Sequence, residues 1–350
     1  MAPVTAKGSF LLTGANGAIG RSLISQFVSK PEYGPLYHGI YVVRDNSSAH
    51  TLQSFLNGRT HSYEVLVLDL TQCRDVRDFA KRLNTRVSNG QIPPLRGIVL
   101  NAAFLELWTQ TWTEDGFDTS FASSYLGHWL LTLMLLQSLD RQMGRVVVVG
   151  SAVHDTQSPH NMVGGQYRDQ KWRQIFHDST DPIARGYWST NADDPSLRSG
   201  YRRYGAAKLC QVMMIPELQR RLATDELLHN ISIVGIDPGS TPSGITRRGG
   251  WMIHTFIGHF VMYILAAVFA LFWRNAEIRT NHKSARGILA ALFECNATLG
   301  TQPKGLYMNG DELVDMGAEA RDHKKIRILW NDTLRYTGLS AHETMLANWE

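Results

Sequence analysis

Short runs of β-branched and aliphatic residues recur along the whole chain, and they constrain its fold more than any other feature of the sequence. The runs are nearly continuous in hydrophobicity, as expected for strands that are covered on both faces. They are SFLLT (9–13), GIYVV (39–43), VLVLD (65–69), GIVLN (97–101), RVVVVG (145–150), ISIVGI (231–236) and GLYMN (305–309). Amphipathic stretches lie between them. This alternation predicts an α/β fold with a doubly wound parallel sheet of about seven strands.

The length of 350 residues suits one large domain. Two segments interrupt the alternation of strands and helices: residues 155–200 are polar, and residues 246–283 contain a strongly apolar block. Neither segment is flanked by a clear linker. We therefore expect a single domain over 1–350, with an insertion at 155–200 and a substrate lid or membrane-contact segment at 246–283.

Composition argues against several classes of function. The net charge of +4 is small, and basic residues are scattered except for short pairs such as Arg202–Arg203, so we expect no nucleic-acid partner. The three cysteines are far apart and lack metal-ligand spacing, which favours a reducing compartment and predicts no metal site. The first residues show no secretory signal pattern. A cytoplasmic location is the expectation.

A glycine-rich turn, TGANGAIG (13–20), follows the first predicted strand. Glycines between a strand and a helix let the backbone approach a pyrophosphate, while the helix N-terminus faces the negative charge. The position after the first strand is the context that this motif requires. The residues of the turn expected to bind a dinucleotide cofactor are Gly14, Asn16, Gly17, Ala18, Ile19 and Gly20.

The second predicted strand ends with Arg44, followed by Asp45. An acid at this strand end suits the ribose 2′-hydroxyl of NAD(H), whereas a base suits the 2′-phosphate of NADP(H). Because the arginine comes first, we predict NADP(H), although the neighbouring acid weighs against it. Asp69, after the third strand, is placed to meet the adenine; alternatively, it caps the next helix.

The stretch RRYGAAKLC (202–210) places Tyr204 four residues before Lys208 on a predicted helix. A phenol with a pKa of about 10 is a poor acid–base at neutral pH unless a cation stabilises its phenolate. A lysine one helical turn away supplies that cation. We predict that Tyr204 is a general acid–base and Lys208 its electrostatic partner. The small residues at 205–207 would let cofactor and substrate approach the helix.

The same spacing occurs at Tyr167 and Lys171, inside the polar insertion. Because charged residues flank that pair, we interpret it as part of a solvated helix. Ser151 ends the fifth strand, at the edge where open α/β sheets bind ligands, and is predicted to hydrogen-bond a substrate oxygen. A simple turn residue is the alternative. We interpret the nearby His154 as structural.

Taken together, the motifs resemble the short-chain dehydrogenase/reductase family over nearly the whole chain, in particular a fungal branch related to retinol dehydrogenases and protochlorophyllide reductases. The matching pieces are TGANGAIG, VVRD, LDL (68–70), LNAA (100–103), EDGFDTSF, YLGHWLLT, GSAVHD, YGAAK and DPGSTPSG. The resemblance implies a Rossmann fold with Ser151, Tyr204 and Lys208 as the catalytic set. The further cofactor contacts that it implies are Leu70, Asn101, Ala102, Ala103, Pro238, Gly239 and Thr241.

Two positions depart from the family pattern. Ala18 replaces the middle glycine of the first turn, which is a small change. Ser124 replaces the helix-four asparagine that helps to hold a water relay to the lysine. Ser124 therefore joins the catalytic candidates, and the ordinary proton relay is in doubt. Slow turnover, or a role other than ketone reduction, stays open.

The apolar block runs from Trp251 to Trp273, 23 residues without a formal charge, which is long enough to span a bilayer. A single crossing would separate the last strand from its sheet. We therefore expect a hydrophobic lid, a contact with a membrane surface or a contact in a homo-oligomer. A lid of this kind suits a lipophilic substrate. Trp108, Trp112 and Phe117 are either further aromatic walls or packing residues.

The leading hypothesis is an NADP(H)-dependent oxidoreductase that acts on a carbonyl or alcohol of a lipophilic small molecule, such as a polyketide, terpenoid, steroid or retinoid. Two alternatives remain. One is a cofactor-binding protein with a regulatory role, and the other is an isomerase or cyclase on the same fold, since fold does not fix chemistry.

Overall fold

The computed structural model describes residues 6–242, 275, 277–295 and 299–350. It confirms the predicted doubly wound α/β fold, with one sheet in the order β3-β2-β1-β4-β5-β6-β7-β8. The strands are β1 (Gly8–Thr13), β2 (Tyr37–Val43), β3 (Tyr63–Val67), β4 (Leu95–Leu100), β5 (Arg145–Val149), β6 (Ser232–Asp237), β7 (Leu306–Asn309) and β8 (Glu312–Leu313). Neighbouring strands are parallel up to β7, and only the pair β7–β8 is antiparallel.

Helices cover both faces of the sheet. They are α1 (Ala18–Ser29), α2 (Asn46–Leu56), α3 (Cys73–Ser88), α4 (Thr119–Phe121), α5 (Gly127–Leu135), α6 (Pro159–Gly164), α7 (Asp181–Ala184), α8 (Leu197–Ala223), α9 (Asn281–Phe293) and α10 (His323–Thr337). A π-helical turn, Ala122–Leu126, joins α4 to α5. Side chains alternate along β1, so Leu11 packs in one apolar layer while Phe10 and Leu12 pack in the other.

Part of the insertion at 155–200 is buried in the apolar core, although its sequence is polar. Tyr167, Trp172 and Phe176 are buried and join the larger apolar layer. The insertion is tied to α8 by a buried arginine. The Arg202 guanidinium donates to Ser189 Oγ at 2.8 Å, to the backbone carbonyl of residue 166 at 3.2 Å and to the carboxylate of residue 194 at 2.8 Å.

The interpretation of Tyr167 and Lys171 as part of a solvated helix is wrong. Tyr167 is fully buried, and its hydroxyl donates to the Val153 carbonyl at 3.1 Å. Lys171 is exposed, and its ammonium lies 4.3 Å from the centre of the Trp172 ring. The two side chains therefore have opposite environments. The sequence misleads here because the apolar neighbours of Tyr167 come from other elements of the fold.

Most of the predicted lid at 246–283, including all of 251–273, lies outside the described residues. Where the description resumes, Ser240 forms a β-bridge with Ile278, and α9 begins at Asn281. Within the described ranges, we find no helix with the length and apolar character needed to cross a membrane. The assignment of 251–273 as a lid, membrane contact or oligomer contact thus stays a prediction.

Candidate active site

The glycine-rich turn lies at the carboxyl edge of the sheet, between the end of β1 and the start of α1. Gly14 has a φ of 65°, and a side chain there would come within 2.9 Å of the Ala102 Cα atom. The Asn101 side-chain amide donates to the carbonyls of Thr13 at 2.9 Å and Gly14 at 3.3 Å. Glycine therefore lets the loops after β1 and β4 meet, which brings the predicted turn and Asn101 together. Ala103, the next predicted contact along the chain, is half-buried.

The start of α1 fits the pyrophosphate of a dinucleotide. Gly17 caps the helix without a side-chain hydrogen bond, and the helix begins at Ala18, where a methyl group is accommodated. Backbone N–H groups at such a terminus favour a negative charge. The Asn16 side-chain oxygen accepts from the Arg21 guanidinium at 2.6 Å, so it faces the helix. Ile19 is half-buried and Gly20 is buried.

The adenosine end of the predicted site borders a cavity of about 240 Å³. Its charged lining residues are Arg44, Asp69, Asp75, Asp78 and Arg82. The Asp69 carboxylate accepts from the amide and hydroxyl of Thr71 at 2.9 and 2.8 Å. Since Gln72 precedes the first residue of α3, Asp69 is not the helix cap. Leu70 is buried, and its carbonyl lies against Gly127 of α5.

Arg44 and Asp45 form an ion pair at the end of β2. The Arg44 Nη2 atom lies 3.0 Å from Asp45 Oδ2, and both side chains are partly exposed. The other Asp45 oxygen accepts the Ser48 amide at 2.8 Å and so caps α2. This backbone hydrogen bond is the main reason that the pKa of Asp45 lies below its ordinary value. The acid next to Arg44 therefore serves the helix as well as the arginine.

The loop after β6 is held by the segment that leads into α9. Gly239 has a φ of 73°, and its amide donates to the Asp237 carboxylate at 2.8 Å. The Ser284 hydroxyl donates to the Pro238 carbonyl at 2.5 Å. Thr241 is half-buried near the end of the described loop. These hydrogen bonds hold the backbone at Pro238 and Gly239, two of the predicted cofactor contacts.

Ser151 lies directly after β5 and is half-buried. Its hydroxyl accepts the Val153 amide at 3.4 Å and begins a short 3₁₀ turn. His154 is buried; its Nδ1 bonds the Ser151 carbonyl at 2.6 Å, and its Nε2 accepts the Gly317 amide at 3.0 Å. With both ring nitrogens used by the backbone, His154 has the structural role that the sequence suggested.

Tyr204 and Lys208 share one face of α8. The Lys208 ammonium lies 5.8 Å from the centre of the Tyr204 ring, and both residues are buried. Tyr204 packs in an apolar cluster with Leu105, Leu107 and Val153. Val153 is two residues beyond Ser151, so the turn after β5 and the face of α8 that carries Tyr204 meet in this cluster.

The expectation for the small residues 205–207 is corrected by their surroundings. A side chain at Gly205 would lie 2.1 Å from the Tyr167 hydroxyl and 2.7 Å from the Val153 carbonyl. Ala206 and Ala207 are buried. The small residues admit the protein's own chain rather than cofactor or substrate, because they lie on the inner side of α8.

Burial shifts the acid–base properties of the pair in opposite directions. It raises the pKa of Tyr204 above its ordinary value, with smaller contributions from Asp237 and Tyr201. It lowers the pKa of Lys208 to about 7, against the opposing effect of Asp237. The phenol therefore holds its proton while the amine titrates near neutrality. Asp237 was missed as a site residue in the sequence, where it resembles an ordinary strand end.

Lys208 is held by groups that the sequence analysis did not select. Its ammonium donates to the Val149 carbonyl at 2.7 Å and to the Gln211 side-chain oxygen at 2.8 Å. The Ser124 hydroxyl instead accepts the Phe104 amide at 3.4 Å. Gln211 lies three residues after Lys208, and this spacing on a helix was the available signal.

The predicted aromatic walls divide into two groups. Phe117 is buried and packs edge-on against Tyr336, with ring centres 5.2 Å apart. Trp108 and Trp112 are 43% and 50% exposed. Phe117 is thus a packing residue, while the two tryptophans lie at the surface of the loop after β4.

Comparison with known proteins agrees with this geometry. The family model described as short chain dehydrogenase matches residues 9–164. Short-chain dehydrogenase iccH of Talaromyces variabilis is 41% identical over 364 aligned positions, which cover 98% of this chain and 99% of that protein. Retinol dehydrogenase 13 of Mus musculus is 23% identical, covering 94% of this chain and 84% of its own.

Among solved structures, the NADPH-bound carbonyl reductase from chicken fatty liver has the same fold, with a TM-score of 0.58 at 14% identity. The match covers 89% of this chain and 100% of that one. Full-length similarity to iccH, on a fold that brings the Tyr204–Lys208 pair and the glycine-rich turn to one edge of the sheet, means that this chain belongs to the short-chain dehydrogenase/reductase family of oxidoreductases.

Proposed function

We propose that this protein is an NADP(H)-dependent oxidoreductase that reduces a carbonyl, or oxidises the corresponding alcohol, of a lipophilic small molecule. The observation that carries the proposal is the buried Tyr204–Lys208 pair beside an apolar cluster at the carboxyl end of β5. An acid–base pair for proton transfer to a carbonyl oxygen needs this combination of fixed geometry and excluded water.

The bound cofactor supplies or accepts the hydride, and the chain's own residues handle the proton and the oxygen. Ser151 orients the substrate oxygen, and Tyr204 transfers the proton to or from it. Burial raises the pKa of Tyr204, so the phenol is protonated before the reaction and is the proton donor when the carbonyl is reduced. The charge of Lys208 then stabilises the phenolate that forms.

Preference for NADP(H) is supported by Arg44, which borders the cavity at the adenosine end together with Arg82 and three acids, Asp69, Asp75 and Asp78. A guanidinium suits a 2′-phosphate through paired hydrogen bonds. The competing acid, Asp45, is engaged by the Ser48 amide as a helix cap. Its carboxylate is therefore a weaker candidate for the ribose hydroxyl than position alone suggests.

A lipophilic substrate is supported by the side chains around Tyr204. Tyr204 packs in a cluster with Leu105, Leu107 and Val153, and Leu197 and Tyr201 pack against that cluster. The apolar block at 251–273 follows the loop that begins at Pro238. We propose that this block covers the substrate, and that the enzyme works in the cytoplasm with this segment against a membrane surface or a second copy of the chain.

The test is cofactor oxidation in mild detergent, with NADPH beside NADH, over ketones and aldehydes graded by size and hydrophobicity. We expect oxidation of NADPH, with kcat/KM rising with the apolar area of the substrate. If NADPH binds but is not consumed with any member of the series, the redox assignment is wrong and a non-redox role on the same fold replaces it.

A further inference from the structure

Lys208 is supported from its own helix. Gln211 is wholly buried one turn beyond it, and its side-chain oxygen accepts from the ammonium at 2.8 Å. The orientation of the amide follows from chemistry, because an ammonium only donates and must therefore meet the oxygen. The Val149 carbonyl accepts a second N–H at 2.7 Å. These two acceptors account for two of the three N–H bonds of the charged amine.

Ser124 lies in the π-helical turn but faces other partners. Its hydroxyl accepts the Phe104 amide at 3.4 Å, and its carbonyl lies 3.1 Å from His128 Nδ1. In the part of the chain that the structure describes, neither oxygen is hydrogen-bonded to Lys208. The chain thus has Ser124 where the family has asparagine, and its Lys208 is hydrogen-bonded to Val149 and Gln211 instead.

The hydrogen bonds of the Thr13 hydroxyl indicate which ring nitrogen of His128 carries the proton. The Thr13 hydroxyl oxygen accepts two backbone amides, at 2.9 and 3.0 Å, so it has no lone pair left for a third donor. Its own proton goes to His128 Nε2 at 2.9 Å rather than to a backbone carbonyl at 3.3 Å. His128 Nδ1 then carries the ring proton and donates it to the Ser124 carbonyl.

In this assignment the Ser124 carbonyl accepts from His128, and within the described residues it makes no hydrogen bond to Lys208. The side-chain nitrogen of Gln211 lies 3.3 Å from the same His128 nitrogen. Because both nitrogens then carry protons, the amide packs against the ring without a hydrogen bond to it. Burial lowers the pKa of His128 to about 3, so the ring is neutral and adds no competing charge. The space between Lys208 and α5 is thereby filled by a side chain.

We propose that Gln211 is a positioning residue that holds the Lys208 ammonium, in place of a water relay built on the helix-four position that Ser124 occupies. This inference rests on the proposed roles of Tyr204 and Lys208. Gln211 acts through the lysine, because its amide oxygen stabilises the protonated amine and fixes its direction.

Among the described residues, the titratable groups around Lys208 are Tyr204 on α8, His128 on α5 and Asp237 at the end of β6. Tyr307 of β7 lies near two of them, because Asp237 and Tyr204 add to the effect of burial in raising its pKa. Among them Asp237 opposes the effect of burial on Lys208. A substitution at Gln211 changes this balance without replacing any of these groups, although it alters the contact of residue 211 with His128. Gln211→Met removes the acceptor and favours the neutral amine, whereas Gln211→Glu adds a negative charge and favours the ammonium.

The first experiment follows Lys208 in the complete protein without substrate. The Cε resonance of Lys208 in protein with ¹³C-labelled lysine, assigned with Lys208→Met, is titrated in wild type and both variants. We expect the midpoint to fall by about one pH unit in Gln211→Met and to rise by about one unit in Gln211→Glu. The alkaline limb of NADPH-dependent reduction should move in the same two directions.

Gln219→Met is the matched control, because Gln219 is a buried glutamine of α8 that accepts the Ile233 amide at 2.9 Å. It should lower thermal stability and leave the Lys208 midpoint in place. Equal midpoints in all variants, or shifts of both Gln211 variants in one direction, would overturn the role of Gln211. Opposite shifts without turnover of any substrate would uphold that role and reject the proposed oxidoreductase activity.

Discussion

Asp45 divides its carboxylate between the α2 helix and Arg44, and this division bears on cofactor choice. One oxygen caps the helix through the Ser48 amide at 2.8 Å, and the other pairs with the arginine at 3.0 Å. The sequence offered only the order Arg44–Asp45. The structure adds that the acid is already committed to local partners, which no residue spacing reveals.

Asp45→Asn separates the helix cap from the ion pair with Arg44. Asparagine caps a helix as well as aspartate does, while the negative charge beside Arg44 disappears. We expect the ratio of NADPH to NADH affinity to rise by up to about fivefold, as for the loss of an exposed ion pair. Fluorescence titration with each cofactor measures the ratio. Arg44→Ala should lower the same ratio, and a fall in Asp45→Asn would contradict the account.

Two tyrosines with the same spacing to a lysine show how far residue patterns reach. The structure places Tyr204 and Lys208 on one face of α8, while the catalytic role chosen for Tyr204 stays a prediction. The solvated reading of Tyr167 was wrong, because burial depends on Val153 and Gly205 from distant parts of the chain. Spacing predicts which residues share a helical face, whereas packing decides what that face meets.

At the scale of the element, α8 contains the proposed acid–base pair and also anchors the insertion. Arg202 lies two residues before Tyr204 and is 1% exposed. Its guanidinium donates hydrogen bonds to three acceptors of the insertion. In the sequence, Arg202–Arg203 stands out only as a short basic pair. Buried arginines are uncommon unless fully paired, and their acceptors lie 8 to 36 residues away in the chain. Sequence alone therefore could not place them inside.

Arg202→Met should destabilise the protein strongly. It leaves a buried carbonyl, a hydroxyl and a half-exposed carboxylate without their donor, which costs about 3 kcal/mol in the free energy of unfolding. Urea unfolding gives this value. Arg198→Met, at an exposed position of the same helix, should change it by less than about 0.5 kcal/mol. Similar losses for both substitutions would show that Arg202 does not anchor the insertion.

For the whole molecule, the parallel direction of the first seven strands follows from the sequence, because continuous apolar runs alternate with amphipathic helices, whereas the order of the strands comes from the structure. The short β8 was missed, since a two-residue strand carries no periodicity. The site also follows in part: carboxyl ends of parallel strands bring Asn101, Ser151 and Asp237 to one edge. The support of Lys208 did not follow, because Gln211 and His128 meet only after α5 packs against α8.

The central claim is that Tyr204 transfers a proton during NADP(H)-dependent turnover. The most direct measurement is the rate of NADPH oxidation with the best carbonyl substrate for Tyr204→Phe and, in parallel, Tyr167→Phe. The account predicts that Tyr204→Phe still binds NADPH but loses at least about 100-fold in kcat, as expected for removal of a general acid. Tyr167→Phe, which loses a hydroxyl outside the acid–base pair, should keep most of its rate. A Tyr204→Phe enzyme that turns over at the wild-type rate would contradict the account.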